Sequence, residues 1–265
     1  MGNNFYIPGE PANNFVQSFW QTEQVTNFQK EIILPRGITE IIFNFSETTI
    51  DAELNDKYCS IEKCIINGFN TTTIRLQLPG VQKFFGVRFQ PSAIKSIFGV
   101  PASEFANFAA DLTLIDRSIH SLWHRLIEAQ TFRQRVLLVE EWLQQKYSSS
   151  TPREAMLNYF LLDEQKNFSV TEISNMLCYS SRHLSRKIYS ITKMNTEELL
   201  YYKKFLKSVN LIHHTNKSLT EIAYDCDFAD QSHFIKTFKS LALITPGEYK
   251  RSKSILPGHI YQDVR

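Results

Sequence analysis

Cysteine is scarce in this chain, and the four residues present, Cys59, Cys64, Cys178 and Cys226, form no C-x-x-C pair. In a reducing compartment the thiols read as small core or near-surface residues, with a redox or metal sensor as the alternative. Long apolar runs are missing as well. None approaches the roughly 20 residues that span a bilayer, so no membrane partner is expected. The opening "MGNNFYIPGEPANNF" has neither the basic start nor the apolar stretch of a secretory signal. Gly2 suggests myristoylation, but Tyr6 stands where Ser or Thr is needed and Pro8 follows. A cytoplasmic protein is expected. There is no GxSxG, P-loop, GxGxxG or paired-carboxylate motif, so no catalytic residue, cofactor or metal is called for. His120 and His124 have the i, i+4 spacing of metal ligands, yet no Glu follows His120 and no third ligand is evident.

What the chain has is apolar surface and a mild charge asymmetry. Hydrophobic residues make up 43% and aromatics 13%, enough for a packed core. The net charge of +2 is unevenly placed. Up to Thr151 there are 13 Lys/Arg against 15 Asp/Glu; beyond it there are 16 against 12. A polyanionic partner therefore belongs with the C-terminal part.

The first hundred residues favour strands. "FQKEIIL" (28–34), "TEIIFNF" (39–45), "IEKCIING" (61–68), "TTTIRLQL" (71–78) and "FFGVRF" (84–89) are β-branched or aromatic runs separated by Pro and Gly. Short strands at this spacing predict a β-rich, barrel-like (cupin-like) domain or a sandwich. The period then becomes helical: Ile119, Leu122, Trp123, Leu126 and Ile127, then Val136, Val139, Trp142 and Leu143. Packing on the barrel and a homodimer interface through 117–147 are both open uses for these stripes. "SSSTP" (148–152) is a polar linker, and Thr151, Pro152 and Glu154 form a helix start. The chain thus divides into a β-rich effector or dimerisation domain with trailing helices (1–150), an all-α domain (151–254) and a tail (255–265). The fold class is α+β in two domains.

The all-α part contains a duplication. Ser169–Glu172, Ser218–Glu221 and Thr245–Glu248 are S/T-x-x-E capping boxes, and Asn195–Glu198 is a close relative. "SVTEISNMLCYSSRHLSRKIY" begins at 169 and "SLTEIAYDCDFADQSHFIKTF" at 218. Their first helices align at an offset of 49 and their second helices at 50, so the second turn holds one extra residue. Each unit is a short helix, a turn and an amphipathic helix, which is a helix-turn-helix layout. "NTEELLYYKKFLKSVNLIHH" joins them as one helix, with His213 and His214 at its favoured C-terminal end. In the second unit Phe234 and Phe238 face inward, leaving Gln231, Ser232 and Lys236 outward. In the first, Leu184 and Ile188 anchor the helix while Arg182, Ser185 and Arg186 face outward. Gln matches adenine and Arg or Lys matches guanine acceptors. His183 and His233, in equivalent slots, suit packing and DNA contact equally.

Over about residues 152–252 the chain resembles the AraC family of bacterial transcription regulators. "EIAYDCDFADQSHFIKTFK" followed by "TPGEYKR" carries the resemblance, and "SSRHLSRKIY" and "KKFLKSVNLI" match more loosely. The segments "ILPRGITEIIFNF" and "FFGVRFQPSAIKSIFGVPASEF" are similar to an uncharacterised sensor-like domain that precedes such readers. The resemblance implies two helix-turn-helix motifs on a long helix, with base contacts from the outward residues and phosphate contacts from Lys187, Thr237 and Lys239. It also implies double-stranded DNA as partner, an activator role, and RNA polymerase and a small effector as further candidate partners. Family members usually have Gly where this chain has Cys178, Lys193, Asp227 and Leu243, and Arg and Ala where it has Lys204 and Ser208. Those four turns are expected to be reshaped or costly.

Trp20, Phe43, Phe45, Arg88 and Phe89 are candidate effector contacts, with the core as their alternative use. Two rival functions remain open. A DNA-associated repair or modification enzyme would need an activated Cys or a four-Cys cluster, and Cys59 and Cys64 offer neither. A protein-interaction scaffold would carry degenerate helix-turn-helix units.

Overall fold

The alternating apolar segments before residue 112 fold into two antiparallel sheets in the computed structural model, which describes residues 4–25, 28–54, 57–61, 63–146, 150–163 and 168–263. The strands are β1 (Asn4–Tyr6), β2 (Val16–Val25), β3 (Phe28–Ile33), β4 (Glu40–Asn44), β5 (Ile50–Leu54), β6 (Lys57–Ile61), β7 (Cys64–Asn67), β8 (Ile74–Gln77) and β9 (Val81–Phe89), with β10 (Ala109–Asp111) after helix α1 (Ala93–Phe98). One sheet has the order β1-β2-β9-β4-β7-β10. The other contains β3-β8-β5-β6 and gains a further strand, β11 (His259–Asp263), beside β3. The expected run 61–68 is divided: β6 and β7 lie in different sheets.

Strand parity decides what each face meets. Phe84 packs between the sheets with Ile50, Ala52, Ile61, Ile65 and Leu78, and Trp20 and Ile42 join this cluster. Trp20 lies across Gly86 so closely that a Cβ there would come within 2.0 Å of the indole, which is why the strand carries Gly. The next residues along, Phe85, Val87 and Phe89, face the opposite way, into the larger core. That face is covered by α2 (Ser118–Glu128) and α3 (Phe132–Gln144): Ile119, Leu122, Leu126, Val136, Val139, Trp142 and Leu143 are buried there. Ile127 and Leu137 stay exposed. Most of the apolar stripe in 117–146 therefore packs on the sheet.

Thr151 caps α4 (Pro152–Leu162) through a complete capping box with Glu154; residues 147–149, at the end of the candidate dimer segment and in the "SSSTP" linker, lie outside the described residues. Six more helices follow: α5 (Val170–Leu177), α6 (Ser181–Thr192), α7 (Thr196–His214), α8 (Leu219–Asp225), α9 (Gln231–Ala242) and α10 (Pro246–Ser252). Their apolar faces and the sheet's outer face share one continuous core running from Ala12 to Ile260. Direct bonds join the two parts: Tyr202 Oη donates to the Asn70 carbonyl at 2.8 Å, the Ser92 amide to Asn158 Oδ1 at 2.9 Å, and Thr73 Oγ1 to the Ala242 carbonyl at 2.9 Å.

Candidate nucleic-acid interface

Each reading unit is built by the same local chemistry. Ser169 and Ser218 cap α5 and α8 with reciprocal Glu172 and Glu221 bonds. The carboxylates of both Glu residues titrate below their usual range because they accept from the cap backbone and hydroxyl. The turn then passes through a residue in the left-handed region, Cys178 (φ 52°) in the first unit and Asp227 (φ 55°) in the second. Ser180 caps α6 by accepting from the His183 amide at 3.2 Å, and Asp230 caps α9 by accepting from the His233 amide at 2.7 Å. One residue separates the left-handed position from the cap in the first unit and two do so in the second. Both recognition helices run 12 residues and end on another left-handed residue, Lys193 (φ 62°) and Leu243 (φ 61°). All four positions where the family usually has Gly keep the Gly-type backbone, so the turns are conserved in shape and not reshaped.

The inward anchors are fully buried: Leu184 and Ile188 in α6, Phe234 and Phe238 in α9. Phe238 packs against Phe205 of α7, with ring centroids 5.0 Å apart. This fixes which side of each helix faces out. Arg182, Arg186, Gln231, Ser232, Lys236 and Lys239 are exposed, while Ser185, Lys187 and Thr237 are half-buried. None of the five cations among them takes part in a salt bridge among the described residues. Unpaired cations on two parallel structural repeats suit a phosphate-lined groove. A shallow concavity on α9 is lined by Ser232, Ile235, Lys236, Lys239 and Ser240.

The joining helix α7 has 19 residues, about 28 Å at 1.5 Å per residue. Lys253 donates to the carbonyls of Ile212 and His213 at 2.8 Å each, satisfying its last turn beside the two histidines. Lys204, where the family has Arg, donates to the Asp227 carbonyl at 2.7 Å and lies over the Tyr201 and Phe228 rings. It braces the left-handed turn of the second unit. Ser208 is buried and bonds the Phe205 carbonyl. His183 stacks on Tyr179 at 4.3 Å and His233 meets Phe228 at 5.6 Å, so each ring has an aromatic packing partner.

Other side chains here gave no signal in the sequence. Thr220 Oγ1 donates to Gln231 Oε1 at 2.8 Å, orienting that amide across the turn. Arg153 stands over Tyr179, and Thr73 reaches the end of α9 from the other domain. Such contacts link residues whose spacing carries no periodicity.

The five candidate effector residues are not brought together. Trp20 and Arg88 lie on the inter-sheet side, where Trp20 Nε1 and Arg88 Nε donate to Glu40 Oε2 at 3.2 and 3.3 Å. Phe43 and Phe89 are buried on the opposite face. Phe45 meets Trp123 of α2 and Arg135 of α3. Neighbours on a strand point to opposite faces, so Arg88 and Phe89 cannot share a pocket. Of the thiols, burial raises those of Cys59 and Cys64 and pushes Cys226 up to about 12, which is the reverse of an activated nucleophile. His120 and His124 touch ring to ring at 4.7 Å, and among the described residues no three His, Cys, Asp or Glu side chains converge on a common point. No described helix is long and apolar enough to cross a membrane.

Comparison with known proteins follows the same division. Residues 173–252 match a helix-turn-helix domain, and residues 4–111 match a domain of unknown function, DUF6597. The HTH-type transcriptional activator RhaS of Salmonella arizonae is 25% identical over 112 residues, covering 41% of this chain and 40% of that protein. RhaS of Escherichia coli O157:H7 is 29% identical over 107 residues, 39% of this chain and 38% of its own length. The chain spans about 40% of the length of these relatives. The crystal structure of ToxT from Vibrio cholerae O395 aligns with 88% of this chain and 97% of its own, at a TM-score of 0.48 and 16% identity. In its DUF6597 domain followed by a helix-turn-helix domain, and in its partial match to the RhaS activators, the chain is similar to regulators of the AraC family.

Proposed function

We propose that this protein is a sequence-specific DNA-binding transcription regulator that reads two adjacent major grooves. The observation that carries the proposal is the pair of equivalent outward faces, Arg182/Arg186 on α6 and Gln231/Lys236 on α9, mounted at either end of one 19-residue helix. Successive major grooves on one side of B-DNA lie about 34 Å apart, a span that suits two units joined this way. Arg182, Ser185, Arg186, Gln231, Ser232 and Lys236 read base edges in this scheme; Lys187, Thr237 and Lys239 hold phosphates. The activator role of RhaS makes activation, and hence contact with RNA polymerase, the expected outcome of binding. The β-rich domain regulates the reader through an effector or through a second copy at α2 and α3. A catalytic role has no support from the thiols. A cytoplasmic setting follows from a DNA target.

The test is selection from a random duplex pool, followed by footprinting. A protected site covering two major grooves on one face supports the proposal; no selected sequence at all refutes it. Arg186→Ala and Gln231→Ala should each relax preference at one end of the site, costing about 1–3 kcal/mol for a bidentate contact.

A further inference from the structure

The last described residues do not trail away from the reader. After α10 the chain makes a tight turn in which the Ser254 amide donates to the His259 carbonyl at 2.9 Å and the His259 amide to the Leu256 carbonyl at 3.1 Å. Gly258 takes φ +78° in this turn, and its amide donates to Tyr249 Oη at 2.8 Å. Residues 259–263 then run antiparallel to β3, with His259 opposite Ile33, Ile260 opposite Ile32 and Tyr261 opposite Glu31. The strand closes the edge of the five-stranded sheet in the other domain.

Side chains reinforce the backbone pairing. Ile260 is buried, and Tyr261 stacks on Phe28 with centroids 4.1 Å apart and planes 10° from parallel. His259 sits between Arg36, whose Nη1 donates to Nε2 at 2.9 Å, and Glu31, whose Oε1 takes Nδ1–H at 2.5 Å. A guanidinium can only donate, so Nε2 must accept and the imidazole proton lies on Nδ1. A five-residue edge strand with one buried apolar side chain, Ile260, is the kind of element that opens before the rest of a fold.

The two recognition helices are held on the first domain at different places. α6 lies beside the 3-10 turn Ala102–Phe105. The end of α9 is tied by Thr73 to the Ala242 carbonyl, and α10, packed on α7 and α9, leads into the strand. Their mutual arrangement, built on α7, is thus also tied to the first domain. We propose that residues 254–263 form a detachable strap that holds the second reading unit on β3 and restrains the two recognition helices from realigning on DNA. This rests on the DNA-reading function proposed above. Opening the strap frees the β3 edge and lets the duplex set the angle between the readers.

The experiment compares the full chain with its Ile260→Asp variant, using amide-exchange protection of β3 and binding to two duplexes. One duplex is the two-groove site selected from the random pool; the other has the end read by α9 scrambled. The expected result is lost protection over residues 30–34 and affinity for the two-groove site raised roughly fivefold or more, the low end of ordinary coupling, with the scrambled duplex unchanged. Lost protection with equal affinity ratios overturns the strap as a restraint, and unchanged protection overturns it as a detachable element. If Ile260→Asp lowers the melting temperature of the whole protein, Tyr261→Ala replaces it, because that change removes only the stacked ring. Failure of the DNA-reading function itself looks different: neither wild type nor variant would retain any duplex.

Discussion

Leu243 ends the second recognition helix at φ 61°, in the same place and conformation as Lys193 at φ 62° at the end of the first. A left-handed backbone costs an L-residue about 1–2 kcal/mol, and a Cβ-branched or bulky side chain gains nothing local in return. Leu243 is 51% exposed, so its side chain repays little by burial. Leu243→Gly should therefore stabilise the protein by about 1 kcal/mol, seen as a melting temperature about 2–4 °C higher. A loss of stability in a thermal melt would mean that the exposed leucine packs in a way its position does not suggest.

Glu40 is the electrostatic centre of the β-rich domain, buried to 2% exposure with Arg36 at 3.2 Å and Arg88 at 3.3 Å. Burial alone would raise its pKa. The two guanidiniums and the Trp20 indole outweigh that and hold the carboxylate below its ordinary value. Its contribution is therefore complete above the ordinary carboxylate range and is lost as pH falls through the lowered value. Glu40→Gln would leave two arginines facing each other around a neutral amide. It should cost about 3–5 kcal/mol in urea unfolding at neutral pH, and the acid-induced part of the wild-type unfolding profile should shrink in the variant.

The proposed division of labour on the reader separates two kinds of loss. Lys239→Ala should weaken binding to all duplexes alike and reduce the slope of log K against log salt by about 1, as removal of one phosphate contact does. Arg186→Ala should instead change which sequences are preferred. Titrations at several salt concentrations on matched and mismatched duplexes distinguish these. A Lys239→Ala variant with altered sequence preference would place Lys239 among the base-reading residues.

Much of the reader was legible because its signals are local. The capping boxes at Thr151, Ser169, Asn195, Ser218 and Thr245 each lie within four residues, and all five are formed. The 49-to-50 offset shift is likewise a count along the chain, and it corresponds to the extra residue between Asp227 and Asp230. The β-rich domain was harder. β2, "VQSFWQTEQV", mixes polar and aromatic residues because its two faces meet different partners, so no clean alternation marks it. The run 61–68 takes in the last residue of β6 and all of β7, although these strands enter different sheets. β11 pairs with a strand more than two hundred residues upstream, and no property of "HIYQD" specifies so distant an edge. The scatter of the effector candidates was partly foreseeable, since Arg88 and Phe89 are adjacent on a strand. What parity could not say was that Glu40 would claim both Trp20 and Arg88.

Acid should loosen β11 before it affects the rest of the fold. His259 is faced by Glu31 on β3, by Arg36 in the following loop, and at longer range by Glu40 on β4; Arg88 on β9 acts on Arg36. Burial, and then Arg36, lower its pKa more than Glu31 and Glu40 raise it. The folded value thus lies below the unfolded one of about 6.5. As pH falls, the unfolded or detached strand takes up a proton first. The attachment is at full strength above about pH 6.5 and weakens as pH drops from there toward the lowered value. Protonation would also place an N–H on Nε2 against the Arg36 guanidinium, which has no lone pair to offer it. Amide-exchange protection factors over Ile32 to Leu34, corrected for intrinsic rates, should fall between pH 7.5 and 5.5 while those in α7 hold. In His259→Gln, which keeps a donor and an acceptor but cannot titrate, the protection of β3 should no longer depend on pH in that window. A wild-type edge equally protected at both values would show that His259 charges without cost in place, and that the Arg36 contact is not what holds the strand.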